Sequence, residues 1–586
     1  MATRQKRQIV YLTLIFSVII NIKSLSSNGL PVTNEDPLKT NVDKELLVSE
    51  LKEKIPELMD KALIPGMSFA LIRNGKIEWL HEFGVKNADT GEPVKVDTIF
   101  EAASLGKPVF TYGVMKLVEE GKLDLDIPLL DIVSREYLEG VNPAYKTNDE
   151  RFTKITARQV LTHSTGFPNW FYNNEFSINF EPGEKFSYSG EAFSLLAEVV
   201  VKITGKSFVD FTQEYIFAPL SMKDSCYVWR ADFESRFASS HDTMGNVTPR
   251  GKSSDPLPGL TLYTTASDYA VFLVALINET GLNKETFAEM FRPQIHANPD
   301  RVGDKWGLGI GVNQNEQGDS LWHWGDNGDF KCYFEIFKEE KIGAVFFVNS
   351  NNGHAITEHV MFHAIGEKSP VIKAFGYPRL NSPVIKLTYT FKTSGVEETA
   401  KLFSELFHDL SSRLNSAERT ILGLGQQAID DKNISGAEKI FKAVIEADPE
   451  SVPAYVSLSE VYFEQGDVEK ARETCQKALT FDPDSESAKY IMARIEPFEI
   501  DMGSLKPIYG EYLRSTGNSR VWQEDGKLYV SSAGVMEMYP VSEDTFLARW
   551  GTTIYRITFV KGEDGKVKEY VLVIDGKPYG IRKKVK

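Results

Sequence analysis

At 586 residues the chain exceeds what one hydrophobic core fills, so several domains are expected. Its 42% hydrophobic and 25% charged content is that of a globular protein. A net charge of −16 with no long basic run repels polyanions and sets nucleic acid aside as a partner.

The chain opens "MATRQKRQIVYLTLIFSVIINIKSLSSNG": a basic start, an apolar run from Ile9 to Ile22, then small residues. That layout reads as a secretory signal peptide over residues 1–27 and implies export to the periplasm or the outside of the cell. The apolar run is shorter than the roughly 20 residues that span a bilayer. Membrane attachment is expected only if this segment stays uncleaved. Cys226, Cys332 and Cys475 are odd in number and far apart, which argues against a disulfide framework. His354, His359 and His363 come nearest to a metal set, but their order does not match H-E-x-x-H and they read as decorating one helix. Neither metal nor cofactor is expected.

Residues 43 to 64 carry an amphipathic helical pattern. "MSFALIRNGKIEWLHEFGV" then places two apolar runs around Asn74-Gly75, a hairpin signal. Helical patterns dominate from 103 to 290, and strand patterns return in "DSLWHWGDNGDFKCYFEIFKEEKIGAVFFVNSN". The order implies an α/β domain over 43–370, with an antiparallel sheet flanked by helices and a helical subdomain. Residues 371–415 read as a helical connector. Over 416–497, "GAEKIFKAVIEADPES" and "KARETCQKALTFDPDS" align with Ala437 over Ala471 and Asp448-Pro449 over Asp482-Pro483, 34 residues apart, a period that resembles tetratricopeptide repeats. Two repeats rarely stand alone, so packing on a neighbouring domain is expected. From 498 to 586, strands punctuated by Asp525-Gly526, Asp564-Gly565 and Asp575-Gly576 predict a small all-β barrel.

The chemistry turns on "FEAASLGKPVFTYGVMKLVEEGKL", where Ser104 stands three residues before Lys107. Spacing alone is weak, because Ser49 and Lys52 in "SELKEKIPELMDKAL" match the same pattern on a charge-rich helix. Ser104 has two readings. It caps a helix, worth about 1 kcal/mol, or it is a nucleophile at a positive helix end with an amine beside it. Two downstream stretches favour the second: Tyr188 in "PGEKFSYSGEAF" and His323-Trp324-Gly325 in "LWHWGDNGDF".

These segments, with "ITARQVLTHSTGFPNW" and "LPGLTLYTTASDYAVFLVALIN", resemble the β-lactamase-related serine hydrolases of the class C branch, over roughly residues 45 to 365. That branch includes β-lactamases, D-alanyl-D-alanine carboxypeptidases, D-aminopeptidases and esterases, and the β tail resembles the lipocalin-like domains that some members append. The resemblance implies Ser104 as acylated nucleophile, Lys107 as its activator and Tyr188 as general base, its phenolate favoured by the neighbouring ammonium. It implies an oxyanion hole from the N–H groups of Ser104 and Asp326, with Gly325 allowing close approach. Tyr172-Asn173-Asn174 matches a literal Tyr-x-Asn but reads as a surface loop, and His163 reads as structural.

Two departures bear on the substrate. The family's Tyr-x-Asn is Tyr188-Ser189-Gly190 here, so Gly190 drops the amide that holds an acylamide group, and Asn327 is the candidate replacement. His323 stands where β-lactamases have the lysine of Lys-Thr-Gly, and a mostly neutral imidazole loses a charge-assisted contact to a substrate carboxylate. Together these imply an esterase or D-peptidase more than a β-lactamase or penicillin-binding carboxypeptidase. An inactive scaffold that binds a protein partner, or self-associates, through the repeats and β domain is the reading from outside enzymology.

Overall fold

The computed structural model describes residues 38–585 apart from 172–175, 298–303, 316, 368–370, 408–414, 515–516 and 533. The expected signal peptide and the Tyr172-Asn173-Asn174 stretch lie outside the described residues. The chain forms two compact units, one through Tyr389 and one from Thr390 onward. No helix of the described residues is long and apolar enough to cross a membrane.

The first unit is built on a nine-stranded antiparallel sheet. Its strands are β1 (Gly66–Arg73), β2 (Lys76–Asn87), β3 (Glu92–Pro93), β8 (Ile295–His296), β9 (Asp304–Trp306), β10 (Gly311–Asn315), β11 (Gly318–Asp326), β12 (Lys331–Phe337) and β13 (Ile342–Val348). The order across the sheet is β3-β2-β1-β13-β12-β11-β10-β9-β8. Two small ladders, β4 (Phe100–Glu101) with β7 (Tyr263–Thr264) and β5 (Ser240–His241) with β6 (Val247–Thr248), lie outside it. Asn74 and Gly75 both take positive φ, 52° and 67°, as a type I′ hairpin between β1 and β2 requires.

The central strands β1, β12 and β13 are buried on both faces, which their period-2 side chains record. On β1, Met67, Phe69 and Leu71 enter one core while Ala70 and Ile72 enter the other. The larger core packs under the helices Gly106–Glu119, Gly190–Thr204 and Ala266–Ile277; the smaller lies under Lys44–Lys61 and Thr357–Ile365. Val371, Ile372, Leu380 and Ile385 also pack into the smaller core. The stretch read as the start of a connector therefore belongs, through residue 389, with the sheet.

In the second unit, the helices Ile434–Ala447 and Val468–Phe481 repeat each other in detail. Asn433 and Asp467 cap their starts, Ala437 and Ala471 are fully buried, and Asp448 and Asp482 end them. Eight sequential antiparallel strands, from Gly510–Arg514 to Lys577–Lys583, follow, and a Tyr512–Lys584 bridge brings the two ends together into a nearly closed barrel. The repeats do not stand alone. Tyr455, Cys475 and Ile491 share a core with Leu547 and Ile554 of the barrel. Glu460 lies between Arg494 and Arg549, and Glu486 pairs with Arg556. The three cysteines are free and buried.

Candidate active site

Ser104 sits in a 3-10 turn, Ala103–Leu105, that runs directly into the helix Gly106–Glu119. The caps of these two elements are Ala102 and Leu105, neither with a side-chain capping bond, so Ser104 is not the N-cap. Ala103, just before it, holds φ at 47°. A non-glycine residue there stores about 1–3 kcal/mol, a cost that clusters at functional sites.

The Ser104 hydroxyl donates to the Gly259 carbonyl at 3.2 Å and accepts from Lys107 Nζ at 3.0 Å. Lys107 is 1% exposed and its Nζ also reaches Gly259 O, at 3.3 Å. The rings of Tyr188 and Phe193 lie 4.5 and 5.7 Å from it. Burial in this company, with no carboxylate partner, pushes the amine well below the ordinary lysine range. Gly259 is the residue the sequence reading passed over. A Cβ there would stand 2.7 Å from Lys107 Nζ, so a larger residue would have to displace the amine. The signal was its place at the head of "LPGLTLYTTASDYAVFLVALIN", a segment that carries the resemblance without assigning Gly259 a role.

Tyr188 reaches the same pocket from the loop before the helix Gly190–Thr204. Its Oη is buried and makes no well-formed hydrogen bond. Burial drives its pKa well above the ordinary phenol value, and the nearby Ser104 hydroxyl only partly offsets this. The electrostatics therefore run against the expected pairing of ammonium with phenolate. One dry pocket disfavours the charged form of both the amine and the phenol.

The loop bearing Tyr188 is held by His163. Its Nδ1 accepts from Ser189 N–H at 3.0 Å, its carbonyl accepts from Ser187 N–H at 2.7 Å, and its ring lies 4.2 Å from that of Tyr188. Gly190 has lost its side chain to a specific neighbour: a Cβ there would meet the Trp170 indole at 2.6 Å. An indole therefore fills the space into which the family's amide would project.

On β11, His323 is fully buried and pushed well below the ordinary imidazole pKa, first by burial and then by Lys107. Its Nδ1 lies 2.7 Å from the Trp324 carbonyl, so the neutral ring carries its proton there. Gly325 presses on the turn that bears Ser104, since a Cβ would meet Ala102 O at 2.6 Å and Cys332 Sγ at 2.3 Å. Asn327 N–H bonds to Phe330 O, and Asp326 faces Lys331 in the next register. The alternation of an antiparallel ladder then turns the Asp326 N–H away from β12. It faces an edge that β10, whose pairing ends at Trp322, leaves uncovered.

Asn327, the candidate replacement amide, has its Nδ2 engaged within the protein. Its Nδ2 donates to Glu101 at 2.6 Å and to Leu260 O at 3.0 Å, and Arg250 grips the same Glu101 carboxylate. The Nδ2 thus ties β11 to the segment ahead of Ser104, while Oδ1 is buried without a hydrogen-bond partner.

The beta-lactamase family profile matches residues 51–361, more than half of the chain, and the chain belongs to that family. A tetratricopeptide repeat profile matches residues 428–495. Among individual relatives, the chain is 24% identical to esterase EstB of Burkholderia gladioli over 47% of its own length and 81% of the relative's. It is 23% identical to protein flp of Staphylococcus aureus over 53% of its length, and spans 65% of that protein. A D-alanine carboxypeptidase AmpC from Burkholderia cenocepacia superposes with a TM-score of 0.45 at 18% identity, over 53% of this chain and 95% of that one.

Proposed function

We propose that this chain is an exported serine hydrolase that forms an acyl-enzyme on Ser104, with an ester or a D-residue peptide as substrate. The observation that carries it is the dry amine: Lys107, 1% exposed, stands 3.0 Å from the Ser104 hydroxyl. A lysine kept neutral is a base at physiological pH, whereas an exposed one is not. In this reading the amine takes the hydroxyl proton as Oγ bonds to the substrate carbonyl carbon. The Ser104 and Asp326 N–H groups receive the oxyanion. As the carbonyl–leaving-group bond breaks, the proton passes to the leaving oxygen or nitrogen, with the Tyr188 phenol as neutral relay. Water then attacks the ester, and the same groups return Ser104 to its resting state.

Substrate choice follows from what meets the acyl group. His323 is neutral and Trp170 occupies the amide's place. Both weaken recognition of a carboxylate-bearing acylamide such as a β-lactam, and the likeness to an esterase supports the same side. Fluorophosphonate labelling with intact-mass detection, beside hydrolysis of p-nitrophenyl acetate and nitrocefin, tests the reading. A Ser104-dependent adduct with acetate-ester turnover exceeding nitrocefin turnover is expected. An unlabelled protein would instead be a scaffold, and preferred nitrocefin turnover a β-lactamase.

A further inference from the structure

His354, read from the sequence as one of three histidines along a helix, lies instead in the 3-10 turn Gly353–Ala355, behind β11. It is 5% exposed. Its Nε2 is 3.1 Å from the Gly325 carbonyl oxygen and its Nδ1 is 3.3 Å from Thr357 Oγ1. A carbonyl can only accept, so Nε2 carries the proton, and bare Nδ1 accepts from the Thr357 hydroxyl. Burial pushes the ring down to about 3, so one neutral tautomer satisfies both contacts.

The Gly325 carbonyl and the Asp326 N–H are opposite ends of one planar peptide. The carbonyl end turns toward β12 and His354, and the N–H end toward the uncovered edge. We infer that His354 is a positioning residue for the oxyanion hole: its Nε2–H fixes the plane of the Gly325–Asp326 peptide and polarises it so that the far N–H donates more strongly. Hydrogen bonds in series reinforce one another, by roughly 10–30% each. Tyr377 also contacts this unit. Its ring lies 4.4 Å from that of His354, and its hydroxyl donates to Asp326 Oδ2 at 2.8 Å. Lys331 pairs with the other carboxylate oxygen, which keeps a negative charge next to the donor from repelling an oxyanion. Although burial alone would raise it, Lys331 holds the Asp326 carboxyl below its ordinary range.

The inference rests on the proposed roles of Ser104 and Asp326. The full chain is compared as purified, as His354→Phe, which keeps an aromatic ring against Tyr377 but no donor, and as His354→Gln, which restores an N–H. The readouts are kcat and KM with p-nitrophenyl acetate, the Kd of phenylboronic acid, and the infrared carbonyl band of the acyl-enzyme. Removing the donor is expected to lower kcat about 10- to 100-fold at unchanged KM. It is expected to weaken the boronic acid by a similar factor and to shift the carbonyl band to higher frequency. Glutamine recovers most of each. Thr357→Val, which removes only the bond that sets the tautomer, gives a smaller change in the same direction and serves if the phenylalanine variant does not fold. A folded variant lacking the donor with unchanged kcat and band, or a glutamine variant equally impaired, overturns the inference alone. Failure of the unaltered chain to form any acyl adduct overturns the hydrolase reading and this inference together.

Discussion

Two Ser-x-x-Lys matches lie in one compact unit and share nothing beyond their spacing. Ser49 and Lys52 are exposed on the helix Lys44–Lys61. Ser104 and Lys107 open the helix Gly106–Glu119, whose Gly106-to-Met115 stretch is buried throughout. The Tyr188 and Phe193 rings and the Gly259 carbonyl surround the second amine. Spacing brings a hydroxyl and an amine to one helix face in both places. Only desolvation separates the two amines, because water stabilises the charged form and the apolar walls around Lys107 do not.

The comparison can be broken by experiment, and the largest effect belongs to the hydroxyl. Ser104→Ala is expected to lower kcat/KM for p-nitrophenyl acetate about 10^4-fold or more. Ser49→Ala should leave it within about twofold, as surface changes commonly do. Comparable losses in both variants would sink the distinction.

Next is the amine. Lys107→Met is expected to cost about 10^3-fold in kcat, and Lys52→Met to cost nothing measurable. The parent's kcat/KM should fall on the acid side through the lowered pKa of Lys107, since protonation removes the base. Stability gives an independent check. Between that lowered value and about 10.5, the unfolded chain binds a proton that the folded chain does not, so stability rises with pH through that window. Lys107→Met deletes this contribution, and its melting temperature near neutral pH should exceed the parent's, with the gap closing as pH rises.

The phenol comes third. Tyr188→Phe should cost about 10^2-fold in kcat. It should also stabilise the resting fold, because a buried hydroxyl without a well-formed bond costs about 1–3 kcal/mol. Thermal melts alongside turnover would show the opposed signs, and a variant both less active and less stable would contradict the assignment. The smallest effect is expected from Gly259→Ala, about 10-fold in kcat through displacement of Lys107 Nζ by the new methyl group.

Much of the architecture was legible because it is written in short-range terms. Asn74-Gly75 demanded positive φ at two adjacent residues and became the β1–β2 turn. The 34-residue alignment of Ala437 with Ala471 became two equivalent buried positions. What was misread involved partners far along the chain. Asn327 reads as a polar residue beside a motif, and only folding brings Glu101 and Leu260 to its amide. His354 reads as one member of a helical triplet, yet its significance lies in a carbonyl 29 residues away. Gly259 lies in a segment that carries the family resemblance, but its closeness to Lys107 Nζ exists only in the folded chain.

The order of residues alone determined which hydroxyl, amine and phenol could take part, where the hairpin turns, and that a 34-residue unit repeats, since each depends on neighbours close along the chain. Tertiary structure decided what charge those groups carry and which peptide N–H faces open space. Protonation answers to the summed dielectric surroundings, and the walls around Lys107 come from positions 188, 193 and 259, brought together only when the sheet and its helices close.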